Sequence, residues 1–429
     1  MLVALFSLWN GDGMRDLLSW WGFSAVSLVL LAGGIVLIVR DRARAKALVL
    51  SRRGIPILAF MAVCVMSVTW SAYPVPTLLG CFIQIATATV AVGLCIARPP
   101  VRLAALFAIM LQATLVISLL FEVGVALSPA GEILPLWTNY SANVPGAYYW
   151  SNGLIFQGGR IQGFTANANL LCFQALLAGV VTATLARGRH LSRRLLVPAL
   201  LLDAVVLLLT RSATVVIALG VVVVAALVIG GLRRFGRRGR IALLVGSFFF
   251  IGLIALSSSS ISEPFLRLLG KGDDFTGRLE IWRLVGTLVK ERPILGWGWI
   301  SYWAPWIAPY NNLVIRDGVQ YLQAHNAYLD IQLQLGIPGL LALVAVTGSA
   351  VYRALRLALT DRPIAVLPLL LLAALLTQAM AESRLLIEGN WALLVALSFA
   401  LPMPGASADR ALDAGRITAS TDRAVDIRS

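Results

Sequence analysis

Long apolar runs separated by short polar connections dominate the chain. Roughly 20 apolar residues span a bilayer as helix. Eleven runs approach or reach that length: Leu18–Val39, Ile55–Trp70, Pro76–Ala97, Leu103–Leu127, Thr165–Ala186, Leu195–Thr210, Ala213–Gly231, Ile241–Leu256, Gly336–Leu355, Ile364–Met380 and Leu386–Leu401. Met1–Asn10 is apolar but too short to cross alone, so a twelfth span near the N-terminus stays open. No basic stretch followed by a small-residue cleavage site is read at the start, and no removable leader is expected. The pattern predicts an all-α fold, a polytopic transmembrane helical bundle of about 11–12 spans with a large external loop containing amphipathic helices. The expected divisions are N-terminal helices 1–127, an external aromatic loop 128–160, central helices 161–256, a large external loop 257–335, C-terminal helices 336–401 and a disordered cytoplasmic tail 402–429.

Composition agrees, because apolar residues make up 59% and charged residues only 13%, against about a quarter charged in a soluble domain. The net charge of +15 would suit nucleic acid, but its placement argues against that. Of 35 Lys and Arg residues, 20 lie in the loops Arg40–Arg53, Arg98–Arg102, Arg187–Arg194, Arg233–Arg240 and Arg353–Arg362, each after an alternate span. The positive-inside rule then puts these loops in the cytoplasm. Outside its one long loop, the opposite side holds four arginines: Arg15, Arg160, Arg211 and Arg384. Cys64, Cys81, Cys95 and Cys172 sit in or beside apolar runs and read as packing residues. The two histidines lie far apart, so no metal cluster is expected.

Two external segments stand out by length, and long ordered loops are where chemistry concentrates. The first, 128–160, is rich in Tyr, Trp, Gly and Asn. The second, about 257–323, mixes seven basic with six acidic residues. Within it the spacing of Ile281, Val285 and Leu288 predicts a helix over 276–291, with Arg278 and Arg283 turned to a polar side. A second short helix is expected over 324–335, broken by Gly336-Ile337-Pro338-Gly339.

His325 is the sole histidine on the external side, and an ordinary imidazole titrates near pH 6.5, suited to accepting a hydroxyl proton. A lone histidine at a membrane edge also serves simply as a hydrogen-bonding group. Arg211 sits between two spans with almost no loop, where it either snorkels to headgroups or binds an anion with its planar fork of donors. Arg160 and Arg278 read either as solvated charges or as further anion ligands. Glu280, Asn326 and Trp282 stand beside them as supporting residues. Asp203 and Glu122, inside apolar runs, suit polar packing or a lipid path. Tyr148, Tyr149, Trp150, Trp303 and Trp306 suit an aromatic belt or a sugar-stacking platform.

Several segments together resemble the O-antigen ligase and O-antigen polymerase superfamily of bacterial membrane glycosyltransferases. They are Gly277-Arg278-Leu279-Glu280-Ile281-Trp282, Arg292-Pro293-Ile294-Leu295-Gly296-Trp297-Gly298, Ala324-His325-Asn326-Ala327-Tyr328-Leu329-Asp330 and the Gly336–Gly339 break. Upstream, Arg160–Phe164 with Asn167 and Asn169, and Thr210-Arg211-Ser212-Ala213, belong to the same pattern. The resemblance implies a glycosyltransferase of the bacterial inner membrane, acting at the periplasmic face without a cofactor or metal ion. It implies an undecaprenyl-pyrophosphate-linked glycan as donor and a hydroxyl acceptor such as lipid A-core. Arg211 and Arg278, with Arg160 assisting, would hold the pyrophosphate, and His325 would be the general base. Chain polymerisation, glycan transfer to protein, and lipid-linked glycan transport are the competing readings.

Overall fold

The computed structural model describes residues 1–138, 144–236, 238–240, 274–316 and 318–399. Its helices are α1 (Leu2–Trp9), α2 (Gly11–Arg40), α3 (Arg42–Val49), α4 (Ile55–Met66), α5 (Pro74–Ala97), α6 (Pro100–Leu127), α7 (Ala168–Arg187), α8 (Arg193–Thr210), α9 (Ala213–Arg234), α10 (Asp274–Glu291), α11 (Ala327–Ala358), α12 (Leu367–Ala379) and α13 (Glu388–Ser398). One hairpin, β1 (Ile315–Arg316) with β2 (Val319–Gln320), is the sole sheet among the described residues. The chain is an all-α polytopic bundle. Ten of the eleven expected spans fall on helices, and the eleventh, Ile241–Leu256, lies outside the described residues. Six of the helices are both long and apolar enough to cross a bilayer. The expected tail likewise lies outside the described residues.

The N-terminus resolves into a short helix followed by a kinked long one. α1 has eight residues and packs Leu5 and Trp9 into the core. At eight residues it is about 12 Å long, too short to span. α2 breaks at Ser19, whose φ of 63° is non-helical, and the apolar segment beyond the kink is the expected first span. There it crosses α5 closely: a Cβ on Gly34 would lie 3.1 Å from the Val90 Cα, and one on Gly93 would lie 3.0 Å from the Gly34 carbonyl oxygen. Small residues permit such backbone contact, which substitutes for hydrophobic driving force inside lipid.

α7 is the central element, with Leu171, Phe173, Leu177 and Val181 buried against α6, α8 and α12. Its neighbours α8 and α9 carry many exposed apolar residues, such as Leu201, Leu208, Val223 and Leu227, as a lipid-facing surface requires.

A second core lies outside the bundle, at the end opposite the basic loops. It joins Ile281, Val285 and Leu288 of α10 to Tyr73, Trp303, Tyr310 and Leu333. The apolar face of α10 is therefore buried on protein, which explains why Arg278 does not face the polar side as its spacing suggested. Arg283 does, and is exposed. The break in α11 has a direct cause. Pro338 has no N–H to give the Gln334 carbonyl, and Gly336 at φ 59° unwinds the chain there. The freed carbonyls of Leu333 and Gln334 accept instead from Trp297 N (3.0 Å) and Gly298 N (2.8 Å), while Ile337 N donates to the Ile294 carbonyl at 2.9 Å. The Gly296–Trp299 turn is thus stitched into the helix break.

Candidate active site

Three chain segments are fixed against one another before any charged group is considered. The loop 151–163 is fastened by Glu122, which accepts from Ser151 Oγ (2.8 Å), Gln162 N (2.8 Å) and Gly163 N (2.6 Å). That is polar packing, and Asp203, accepting from Gln112 Nε2 at 2.9 Å, does the same between α6 and α8. The loop 297–303 is held by Gln334 and Asp330: Gln334 Oε1 accepts from Ile300 N and Ser301 N, and Asp330 accepts from Trp303 Nε1 at 2.9 Å. The entry to α11 is held by Trp282, whose Nε1 donates to the Ala324 carbonyl at 3.0 Å.

α11 starts at Ala327 and not at Ala324, because Asn326 caps it, accepting from Tyr328 N (3.0 Å) and Leu329 N (3.1 Å). His325 precedes the cap at φ 49°, a left-handed conformation rare for a non-glycine residue. Ser383 Oγ accepts from Asn326 N at 3.3 Å, which ties this corner to the segment between α12 and α13.

That segment carries Glu382, which the sequence reading missed. One carboxylate gathers the site. Oε2 lies 3.1 Å from His325 Nδ1 and 3.3 Å from Gln323 Nε2; Oε1 accepts from Arg278 Nη2 and Asn169 Nδ2, both at 3.1 Å. Burial pushes the Glu382 carboxyl up. The charge and hydrogen bond of His325, with Arg278 and Arg384, outweigh burial and hold it at about 2 against an ordinary 4.5. It is a carboxylate at any working pH. An acceptor-only carboxylate on Nδ1 requires that nitrogen to carry a proton, so in the neutral ring Nε2 keeps its lone pair. The signal available in sequence was an acid in a short connection on the side that also holds the four outer arginines.

Beyond this hub opens a cavity of about 560 Å3 lined by Arg160, Arg278, Arg316, His325, Asn169 and Glu280 among others. Arg160 is braced by the Thr210 carbonyl (Nε, 3.0 Å) and by Asn169 Oδ1 (Nη2, 2.9 Å). Asn169 Oδ1 also accepts from Ser212 Oγ at 3.0 Å, so the Thr210–Ser212 turn backs the wall from behind Arg160 and Asn169. Arg316, on the hairpin, lies across Gly277 so closely that a Cβ there would meet its Nη1. The structure therefore brings together Arg160, Arg278, His325 and Glu280. Arg211 is exposed, at φ 48° in the same turn, and is not among the lining residues, although its two neighbours brace the wall.

The aromatic residues divide differently from either expectation. Trp150 is buried, donates to the Phe164 carbonyl at 3.1 Å and packs on Phe121 and Phe164. Trp303 is fully buried and stacks on Tyr310. These two are core residues, neither belt nor sugar platform, because each indole N–H has an internal acceptor. Tyr148 accepts from Gln320 N, and Trp306 is exposed.

A multi-pass membrane protein with a cation-lined hollow at the end away from its basic loops is the class that fold and site define. Residues 198–344 match the family model described as O-antigen ligase, and none of the curated proteins compared matches the chain. That segment is similar to the O-antigen ligase family, one of ligase- and polymerase-type enzymes. It contains Arg211, Arg278, His325 and Asn326, whereas Arg160 and Glu382 lie outside it.

Proposed function

We propose that the protein transfers a glycan from undecaprenyl pyrophosphate to an acceptor hydroxyl such as that of lipid A-core, at the periplasmic face of the bacterial inner membrane. The observation that carries this reading is the single cavity shared by Arg160, Arg278 and the Glu382-oriented imidazole of His325. Its volume suits a diphosphate with the sugar attached to it, within the roughly 300–1,000 Å3 of small-molecule sites. In the proposed reaction the acceptor oxygen forms a bond to the anomeric carbon while the bond to the pyrophosphate oxygen breaks, inverting that centre. The hydroxyl proton passes to His325 Nε2, and the electron pair leaves with the pyrophosphate. Arg278 and Arg160 meet the negative charge where it develops, and fixed positive groups in a partly dry site are effective there. Arg211, exposed beside the turn that braces Arg160, would meet the carrier lipid as it arrives. Asn326, Trp282 and Glu382 act by holding His325 and Arg278 in register.

The test is His325→Ala in cells, following surface glycan and carrier-linked glycan together. The expected result is loss of transfer by about 10²–10⁴-fold, with full-length glycan accumulating on the carrier. Single-repeat products would assign the same chemistry to a polymerase. Unchanged surface glycan, in both amount and length, would remove the enzymatic reading and leave transport of lipid-linked glycan as its rival.

A further inference from the structure

A second hollow, unrelated to the site above, lies at the basic end of the bundle. It measures about 140 Å3 and runs beside α1 between α5, α6, α12 and α13. Its walls are apolar, with Trp9, Leu94, Phe107, Leu371 and Leu397 among them. The charged residues that line it are Arg44, on α3, and Arg98, at the end of α5, and no acidic residue does. Both arginines are exposed, and the nearby Asp41 is occupied in capping α3 through Arg44 N.

Space lined this way is too apolar to hold water and forfeits dispersion contacts unless an apolar chain fills it. At its mouth two guanidinium groups offer planar forks to a phosphate. Basic pockets between membrane helices at such a surface are sites for anionic lipid headgroups.

We propose that this hollow is a structural lipid site, seating a segment of one acyl chain of an anionic phospholipid from the leaflet at the basic end. The lipid's phosphodiester sits between Arg44 and Arg98. The charge pattern selects this occupant: two cations and no anion at the mouth favour a net-negative headgroup over a zwitterionic one, whose ammonium would meet only arginine.

The experiment uses the full chain, purified and mixed with equal amounts of phosphatidylglycerol and phosphatidylcholine, with retained lipid read by native mass spectrometry. One phosphatidylglycerol should be retained in roughly tenfold preference, and Arg44→Gln with Arg98→Gln should abolish that preference. Leu94→Trp, which fills the slot and leaves both arginines, should prevent retention of either lipid. Cys95 lines the hollow and gives a reading on the unaltered chain. Its alkylation by an apolar maleimide should slow with phosphatidylglycerol and not with phosphatidylcholine. Equal retention of the two lipids, retention unaffected by the variants, or displacement by an equimolar polyprenyl phosphate would each overturn the proposal.

Discussion

Two partly buried clusters of charge lie at the same end of the molecule, and they are built on opposite principles. In the first, Asp12 and Glu388 face Arg15 and Arg384, two acids and two bases. Glu388 Oε1 lies 2.5 Å from Arg15 Nη1, Asp12 Oδ2 lies 2.5 Å from Arg384 Nη2, Asp12 also pairs with Arg15, and Arg384 reaches Glu388 at 3.9 Å. Arg15 is further covered by Trp20 and Phe23, each 5.0 Å from its guanidinium carbon. The ring is closed and formally neutral. In the second cluster Glu382 faces Arg278 and His325, while Arg160, Arg316 and a second acid, Glu280, line the same hollow. These groups open onto space large enough for a ligand. Charge closed into a ring holds a fold together, and charge that lines a hollow can meet a ligand.

Breaking the closed ring should have the largest effect. Arg384→Ala leaves two partly buried carboxylates sharing Arg15, and a cost at or below that of a fully buried pair, about 3–5 kcal/mol, is expected. A large fall in unfolding temperature in detergent is expected. If stability is unaffected, the ring is not the clamp between α2 and the 382–388 segment that its geometry describes.

Arg278→Ala should do the reverse. Glu382 keeps His325, Asn169 and Gln323, so the fold is expected to hold. The lost cation should slow transfer by about 10²–10³-fold, the range for removing one group that stabilises developing charge. A variant that unfolds as readily as Arg384→Ala would erase the distinction between the clusters.

Much of this division was legible in the sequence, and the part that was not has a physical reason. Apolar runs locate helices well, and the spacing of Ile281, Val285 and Leu288 gave the face of α10 that is buried. His325, Arg278 and Arg160 stood out because a charged or titrating group at the outer edge of a membrane protein is costly. Periodicity does not say what a face packs against, so it could not show that this face of α10 lies on the second core. Glu382 was hidden because its partners come from α7, α10 and the entry to α11, up to 213 residues away. The fate of Trp150 and Trp303 was hidden likewise, since the acceptors of their indole N–H groups exist only in the folded chain.

Glu382→Gln sharpens the comparison next. A glutamine oxygen still accepts from Nδ1, but the charge that fixes the tautomer is gone, and about 10–100-fold of the rate should go with it, the usual range for an orienting partner. The same residue predicts a pH signature. Its carboxyl is held at about 2 in the fold against an ordinary 4.5, so its contribution to stability is complete above about pH 4.5 and fades as pH falls toward 2. Wild-type stability should therefore drop more steeply across that acid window than the glutamine variant's. Parallel curves would mean that Glu382 carries no net charge advantage in the folded state.

The smallest effect belongs to Arg211, which tests where the cationic lining ends. It is exposed, and its φ of 48° follows from its place at the end of α8, so Arg211→Ala should alter stability by less than about 0.5 kcal/mol. Its neighbours Thr210 and Ser212 brace Arg160 and Asn169, yet its own side chain stands outside the hollow. An arginine that meets the carrier lipid before chemistry contributes equally to ground and transition states. Removing it should raise KM for the lipid-linked donor by a few-fold and leave kcat unchanged. A fall in kcat of the size expected for Arg278→Ala would bring Arg211 inside the reacting site and enlarge the second cluster by one cation. Kinetics identical to wild type would reduce it to a headgroup contact.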